Sequence, residues 1–323
     1  LLEAHGEDAK VIAGGQSLIP LMNMRLATPK YLIDINGIEG LDQVREVDGH
    51  LEIGALNRHS MIASLQLIQE KCPLLAEAVN HVAHRQVRYR GTFGGSVAHA
   101  DPAAEFPTVV TALDGEIKLV GPDGARWIKP EEFFMGYLMT TIEPNEILTE
   151  IRVPVTPVGS GFSVYEFARK ENYFAIAGAV CLLSAEVDRV KQVALGLLGV
   201  SPAPVKPREA EDLLRGNVFS DKRVEEVAKS VMESVEPDSD LHASEGYRRE
   251  MASISPRGMW RPRLASRLFT LDRRLPHWLY RTLCRWLTGD RPYHAVLLGA
   301  DGRVEILSGD YAVVRLALNG AGS

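Results

Sequence analysis

The sequence predicts an α+β protein with a larger first part and a smaller second part. Three observations carry that reading. Short β-prone and helical stretches are interspersed from Asp8 to Pro154, whereas three consecutive β-prone runs between Phe162 and Val200 precede two helical ones. Strands and helices segregated in this way characterise α+β architecture. A Pro/Gly/Ser stretch, Thr156 to Gly161, separates the two parts, as linkers of that composition do. The charge then changes sign at Pro256. From there on the chain carries eleven Arg, no Lys and five acidic residues, a net of +6; the whole chain carries −6, which leaves −12 for the body. A body of one sign and a tail of the other mark a compositional boundary.

Each element follows from its local pattern. Asp8 to Ala13 is a short strand and Leu18 to Arg25 a brief helical turn. Lys30 to Ile35 is a strand closed by Asn36-Gly37, and His50 to Ala55 is another, after the turn at Asp48-Gly49. Ser60 to Gln69 predicts a helix with Met61, Ile62, Leu65 and Ile68 on one face; Leu74 to Val82 predicts a second that buries Leu75, Ala78, Val79 and Val82. Phe106 to Leu113 is short and apolar, and Glu116 to Val120 is a strand ending at Pro122-Asp-Gly124. A helix opens at Ile128, with Pro130 near its first turn, and Glu146 to Pro154 is a strand. Beyond the linker, Phe162 to Lys170, Ala175 to Val187 and Val190 to Val200 are strands. Arg208 to Leu214 and Asp221 to Val235 are helices, the second with Val224, Val227, Ala228, Val231 and Met232 on its apolar face. The tail holds an Arg-rich amphipathic run from Leu264 to Trp286, then a hairpin, Tyr293 to Gly299 and Arg303 to Leu307.

Two stretches carry candidate chemistry. In Thr92-Phe-Gly-Gly-Ser96, hydroxyls flank adjacent glycines. Paired glycines adopt φ > 0 and let backbone approach a ligand; successive N–H groups form a nest for an anion, and the hydroxyls can donate to the same oxygens. The downstream charges, Asp101 and Glu105, are acidic, which suits a ribityl or ribose hydroxyl better than a bare phosphate. A Gly-rich turn between two buried segments explains the stretch equally well. The second pair, Gly14-Gly15, again follows an apolar run and precedes a hydroxyl, Ser17. Two such loops can pinch one diphosphate from two sides. Neither is Gly-x-Gly-x-x-Gly, which disfavours a Rossmann site. His81, His84, Arg85, Arg88 and Arg90 form a basic approach to the later loop. No aromatic platform accompanies it, so a diphosphate-facing or partner-facing surface is favoured over nucleic acid.

Ala13-Gly-Gly-Gln-Ser17, Thr92-Phe-Gly-Gly-Ser96 and Ala98-His-Ala-Asp-Pro102 resemble, in order and spacing, the flavin loops of the FAD-binding medium subunits of molybdenum hydroxylases. That family includes carbon monoxide dehydrogenases and xanthine dehydrogenases. The resemblance implies a two-part FAD-binding domain of the PCMH/VAO-like type over residues 1–157. It also implies a strand and most of a helix ahead of Leu1, so a truncated N-terminus is expected. Residues 160–255 then form a small domain, a three-stranded antiparallel sheet plus helices, closed by a helix at Tyr247 to Ala252. Residues 256–323 remain an Arg-rich tail outside the resemblance. An added module, a fusion, a partner-binding arm and a membrane-surface helix are all open for it, and helical core packing explains its Leu stripe.

By the same resemblance the cofactor is FAD, held without a covalent bond. The first loop would contact it through Ile12, Ala13, Gly14, Gly15, Gln16, Ser17 and Leu18. The second would do so through Thr92, Gly94, Gly95, Ser96 and Ala98, with Val82 and Asp101 nearby. Glu105 stands where the family has an Asp that binds the flavin; Glu keeps the charge and adds a methylene. Leu148 lines the flavin by resemblance, though a plain core Leu explains it equally well. Lys170, with Tyr173 and Phe174, lies where the family covers one face of the isoalloxazine, while the family's lysine near Glu166 is absent. His99 is a candidate flavin ligand or base. No residue of this chain is expected to be catalytic or to ligate a metal.

The implied role is an electron relay. A molybdopterin-containing large subunit oxidises the substrate, a 2Fe–2S small subunit passes electrons on, and FAD delivers them to an external acceptor. This makes the chain part of a hetero-oligomer. The other reading is a flavin-free scaffold on a decayed form of the fold, and the unusual tail motivates it. Cys72, Cys181 and Cys284 are too few for a four-Cys cluster, so any cluster belongs to another chain. Their spacing and odd number argue for a reducing compartment, hence the cytoplasm. The apolar runs are too short and interrupted to span a membrane, and the acidic opening residues do not resemble a signal peptide.

Overall fold

The computed structural model of the chain describes residues 1–170, 173–186, 189–218, 220–259, 295–298, 304–307 and 313–316. After α1 (Leu2–His5), β1 (Ala9–Ile12) and β2 (Tyr31–Asp34) pair in parallel. Parallel strands need a crossover, and α2 (Leu18–Asn23) lies in it, with Pro20 in the first turn where no intrahelical N–H is required. This small unit buries Ala9 and Ile35 but no residue of α2.

The larger unit is a five-stranded antiparallel sheet backed by short helices. β3 (Val44–Val47) and β4 (His50–Gly54) form a hairpin about Asp48 and Gly49, both at positive φ, as a tight two-residue turn demands. Then come α3 (His59–Ser64), α4 (Gln66–Lys71), α5 (Pro73–Ala78), α6 (Arg85–Arg90), α7 (Phe93–His99) and α8 (Glu105–Ala112). β5 (Glu116–Gly121) and β6 (Gly124–Ile128) form a second hairpin. α9 (Pro130–Phe133), β7 (Phe134–Gly136) and β8 (Met139–Thr140) lead to β9 (Ile147–Pro154). The sheet order is β3-β4-β9-β5-β6, so β9 is the middle strand and joins the two hairpins. Leu51, Ile53, Ile117, Leu119 and Ile151 from the sheet pack with Ile62, Leu75, Phe93 and Phe106 from the helices.

Several expectations change here. Ser60 to Gln69 is two helices, broken at Leu65 (φ −66°, ψ 119°). Ile62 and Ile68 would lie about 120° apart around one continuous helix; the break lets both be fully buried, while Met61 is exposed. The helix expected at Ile128 is the single turn α9. Strands β3, β6, β7 and β8 were not foreseen.

The second part is an antiparallel meander of β10 (Gly161–Phe167), β11 (Ala177–Glu186) and β12 (Arg189–Leu198). Its middle strand is buried from Ala177 to Ser184, because helices cover one face and the first part covers the other. The helices are α10 (Arg208–Leu214), α11 (Asp221–Glu233) and α12 (Glu245–Met259). α12 starts before the expected closing helix and continues through Pro256 rather than stopping near Ala252. Val164, Val180 and Leu182 belong to the same core as α5, α7 and α8. A Cβ on Gly196 of β12 would sit 2.8 Å from the Thr108 carbonyl oxygen of α8, so that contact needs glycine. Lys206 Nζ donates to the Ala112 carbonyl at 2.6 Å, and Gly199 N to Pro102 O at 2.8 Å.

A separate unit spans residues 272–323. In it β13 (Ala295–Leu298), β14 (Val304–Leu307) and β15 (Val313–Leu316) form an antiparallel sheet in that order. The first two strands are the expected hairpin. The amphipathic run from Leu264 to Trp286 lies outside the described residues.

Candidate functional site

The first Gly loop follows β1 and opens α2. Ile35 N donates to Ile12 O at 3.2 Å, and Asn36 Nδ2 to Ala13 O at 2.9 Å, which fixes the chain just before the glycines. Gly15 has φ +68°, a conformation that favours glycine. The backbone N–H groups of Gly15, Gln16 and Ser17 donate to no acceptor among the described residues, and the Ser17 hydroxyl does not cap α2. A cleft of about 470 Å³ lies against this loop. It is lined by Ile12, Ala13, Gly14, Gly15, Gln16, Ile19, Pro20, Asn23, Asp34, Asn36 and Arg90.

The second Gly pair is built differently from the expected nest. Gly94 and Gly95 lie inside α7 at ordinary helical φ, and its N-terminal amides are already satisfied. Phe93 N donates to Asn57 O (2.8 Å), Gly94 N to Ala55 O (2.9 Å), Gly95 N to Thr92 Oγ1 (3.1 Å) and Ser96 N to Thr92 O (3.0 Å). Thr92 is therefore the N-cap. The glycines here serve packing rather than a left-handed turn. A Cβ on Gly94 would lie 2.7 Å from Ala55 Cα, and one on Gly95 would lie 2.6 Å from the Thr92 hydroxyl. Gly95 is exposed, whereas Gly94 is buried against Ala55, the residue after β4. The Ser96 hydroxyl has no partner among the described residues.

The two loops touch. A Cβ on Gly14 would run into the Arg90 carbonyl oxygen and come within 2.8 Å of Gly91 Cα. Residues 55–59 brace this junction from beneath: His59 N donates to Gly91 O at 3.1 Å, and its ring Nε2 lies 3.0 Å from Thr92 O. Burial pushes the His59 imidazole down to about 4, so it is neutral and donates from Nε2. Its Nδ1 is buried without a partner, and its ring meets Phe106 edge-on at 5.0 Å.

A second cluster lies where α8 meets β10. Burial first, then the Glu166 charge, raises the Glu105 carboxyl well above the ordinary carboxylate value; Asp101 pushes the same way and Arg88 opposes it. His81 Nδ1 is 3.5 Å from Glu166 Oε2, and Glu166 Oε1 is buried without a partner. The basic approach is thus partly turned inward, for Arg88 Nη1 also donates to Val79 O at 3.0 Å. Asp101 Oδ1 accepts from Ala103 N at 2.9 Å and shapes the turn into α8. Val82 and Leu148 are core residues. Ala98 and His99 lie on the later turns of α7, partly buried, and Leu18 is the first residue of α2. Lys170 is exposed, with Nζ 5.8 Å from the Tyr173 ring centre. Arg58 and Asn36, which link the loops, were missed from sequence, because no local pattern marks either one.

Among the described residues no helix is long and apolar enough to cross a membrane, and no His/Cys/Asp/Glu cluster could hold a metal ion. Residues 1–156 match the family described as FAD binding domain in molybdopterin dehydrogenase, and residues 163–261 match the CO dehydrogenase flavoprotein C-terminal domain. The chain is 37% identical over 252 residues to the 6-hydroxypseudooxynicotine dehydrogenase complex subunit alpha of Paenarthrobacter nicotinovorans, covering 78% of this chain and 85% of that one. It is 36% identical to the carbon monoxide dehydrogenase medium chain of Hydrogenophaga pseudoflava, covering 78% of this chain and 88% of that one. A solved carbon monoxide dehydrogenase from the same organism, lacking the Mo-pyranopterin moiety, superposes with a TM-score of 0.80 at 35% identity, covering 82% of this chain and 92% of that one. With both of its parts matched in order, the chain belongs to the family of FAD-binding medium subunits of molybdenum-dependent dehydrogenases.

Proposed function

We propose that this chain binds one FAD across the two Gly loops and relays electrons within a hetero-oligomeric molybdenum hydroxylase. In that complex a molybdopterin-containing large subunit oxidises the substrate, and a 2Fe–2S small subunit connects it to this chain. Electrons leave for an external acceptor such as NAD⁺ or a quinone. When bound, FAD supplies the chemistry: it accepts single electrons, stores two and gives them up together.

The observation that carries the assignment is the first loop, with three backbone amides lacking acceptors beside a cleft that Arg90, two residues before the second loop, also lines. Amides converging at a helix start suit the oxygens of a diphosphate. In this reading Gly15, Gln16 and Ser17 hold those oxygens, and the Ser17, Thr92 and Ser96 hydroxyls add donors. Gly14 and Gly95 keep the approach free of side chains. Asp101 and Glu105 serve the ribityl and ribose hydroxyls, Val82, Ala98 and Leu148 supply apolar walls, and Lys170 flanks the ring system. Nothing here requires this chain to move substrate atoms. We place the complex in the cytoplasm, a reading supported by the scarcity of cysteine.

The test is the flavin content of the purified chain. It should be yellow and release about one FAD per chain on denaturation, and Gly15→Val should lose the flavin because a β-branched residue resists φ > 0. A colourless chain that takes up no added FAD overturns the assignment.

A further inference from the structure

We propose that Arg58 is a positioning residue for the flavin site: its guanidinium ties the first Gly loop to the second and sets the distance between them. The inference rests on the reading that FAD spans both loops.

The links form a continuous path. Arg58 Nη1 donates to the Arg90 carbonyl oxygen at 2.5 Å, and Nη2 donates to Asn36 Oδ1 at 2.6 Å. Asn36 in turn donates from Nδ2 to Ala13 O at 2.9 Å, immediately before Gly14. The Asn36 amide is held in one orientation, because Asp34 Oδ1 accepts from both its backbone N (2.9 Å) and its Nδ2 (2.5 Å). That leaves Oδ1 turned to Arg58.

The division of labour makes Arg58 informative. Residues 55–59 hold the second loop by backbone alone, through Phe93 N to Asn57 O, Gly94 N to Ala55 O and His59 N to Gly91 O. The first loop has no such ladder to that segment. It sits on the two-stranded unit β1–β2, which hydrogen-bonds as a pair apart from the five-stranded sheet, and its helix α2 buries nothing. Arg58 and Asn36 supply the side-chain link across that gap, and Gly14 touches Arg90 where the link closes. A guanidinium suits the task because its N–H groups form a rigid planar fork that serves two acceptors at a fixed spacing. A lysine offers one point charge on a flexible stem. Neither Arg58 nor Asn36 is needed to contact FAD in this arrangement.

The experiment uses the full chain, with Arg58→Ala and Arg58→Lys. Hydrogen exchange of the FAD-free proteins reads the clamp directly. In both variants exchange should speed up over residues 9–12 and 31–36, whose amides are protected by the β1–β2 pairing and by the Ile35 and Asn36 bonds that carry the first loop, while residues 87–97, held by backbone bonds, stay as in the parent. FAD titration should show Kd rising by about tenfold or more in Arg58→Ala, the scale of a lost charged hydrogen bond, with Arg58→Lys only partly better. Millimolar guanidinium should restore part of the Arg58→Ala affinity, and methylammonium should not. Unchanged exchange over residues 9–12 and 31–36 overturns the clamp whether or not FAD binds. So does parent-like FAD affinity in Arg58→Lys, or affinity that falls only with general unfolding and is not rescued by guanidinium. If the parent binds no FAD but the exchange pattern is as expected, the clamp stands and its role toward the flavin fails with the assignment beneath it.

Discussion

Acidification should loosen the second Gly loop through His59. The neutral ring donates from Nε2 to the Thr92 carbonyl, and its Nδ1 is buried with no acceptor, so the charged form would bury an unpaired N–H beside Arg58 and Arg88. In the unfolded chain the ring titrates at its ordinary 6.5, and in the folded chain at about 4. Between those values the unfolded chain takes up a proton that the folded chain refuses. This contribution to stability is therefore complete above pH 6.5 and is lost as pH falls toward 4. Two and a half units correspond to about 3 kcal/mol in all, of which about 2 kcal/mol is gone by pH 5. His59→Gln keeps a donor for Thr92 and cannot charge. Urea unfolding at pH 7.5 and pH 5 should show the parent losing about 2 kcal/mol more than the variant, since other titrating groups are common to both. FAD retention should decline in the same window, because the Thr92 carbonyl belongs to the N-cap of α7. Parallel pH profiles for parent and variant, or an imidazole that titrates near 6.5 in the folded protein, would refute the reasoning.

Other outcomes follow from the same geometry. Gly14→Ala should drive a methyl into the Arg90 carbonyl and lower FAD affinity while the five-stranded sheet stays folded, which flavin release and circular dichroism can read together. Gly94→Ala should destabilise the fold by roughly 1–3 kcal/mol through overpacking against Ala55, whereas Gly95→Ala should cost only about 1 kcal/mol through the disturbed Thr92 cap; urea midpoints separate the two. Glu105 is raised by burial and by Glu166, so its contribution to stability falls as pH rises above 4.5; Glu105→Gln should flatten that decline in a series of thermal midpoints. A chain ending at residue 261, after α12 and the end of the family match, should keep its flavin, and loss of the yellow colour on truncation would place the tail within the flavin fold.

The glycine pairs were legible as adjacent glycines flanked by hydroxyl residues. The reason at the second pair was not: Gly94 and Gly95 are helical, and their smallness serves Ala55 and Thr92 rather than a positive φ. Strands β4, β5, β9, β10, β11 and β12 announced themselves through apolar runs or alternation. β3 and β6 did not, and they are the two edges of their sheet, where Arg45, Glu46 and Arg126 face water and dilute the signal. Ser60 to Gln69 misled because helical periodicity persists across the break at Leu65, which tertiary burial of Ile62 and Ile68 imposes. Arg58 was invisible for a different reason. It joins Asn36 to Arg90, and nothing local to any of the three forecasts the others.

The place of β9 has a consequence for how the chain acquires its shape. This strand is the last of its sheet in sequence yet the middle one in space, pairing with β4 at His50–Gly54 on one side and with β5 on the other. Until Ile147–Pro154 has left the ribosome, the nascent chain can hold only two detached hairpins, each with an open edge. Closing the sheet then brings together segments about a hundred residues apart, the kind of non-local step that slows folding. A chain stalled before Ile147 presents unpaired strand edges to its neighbours, and such edges invite aggregation.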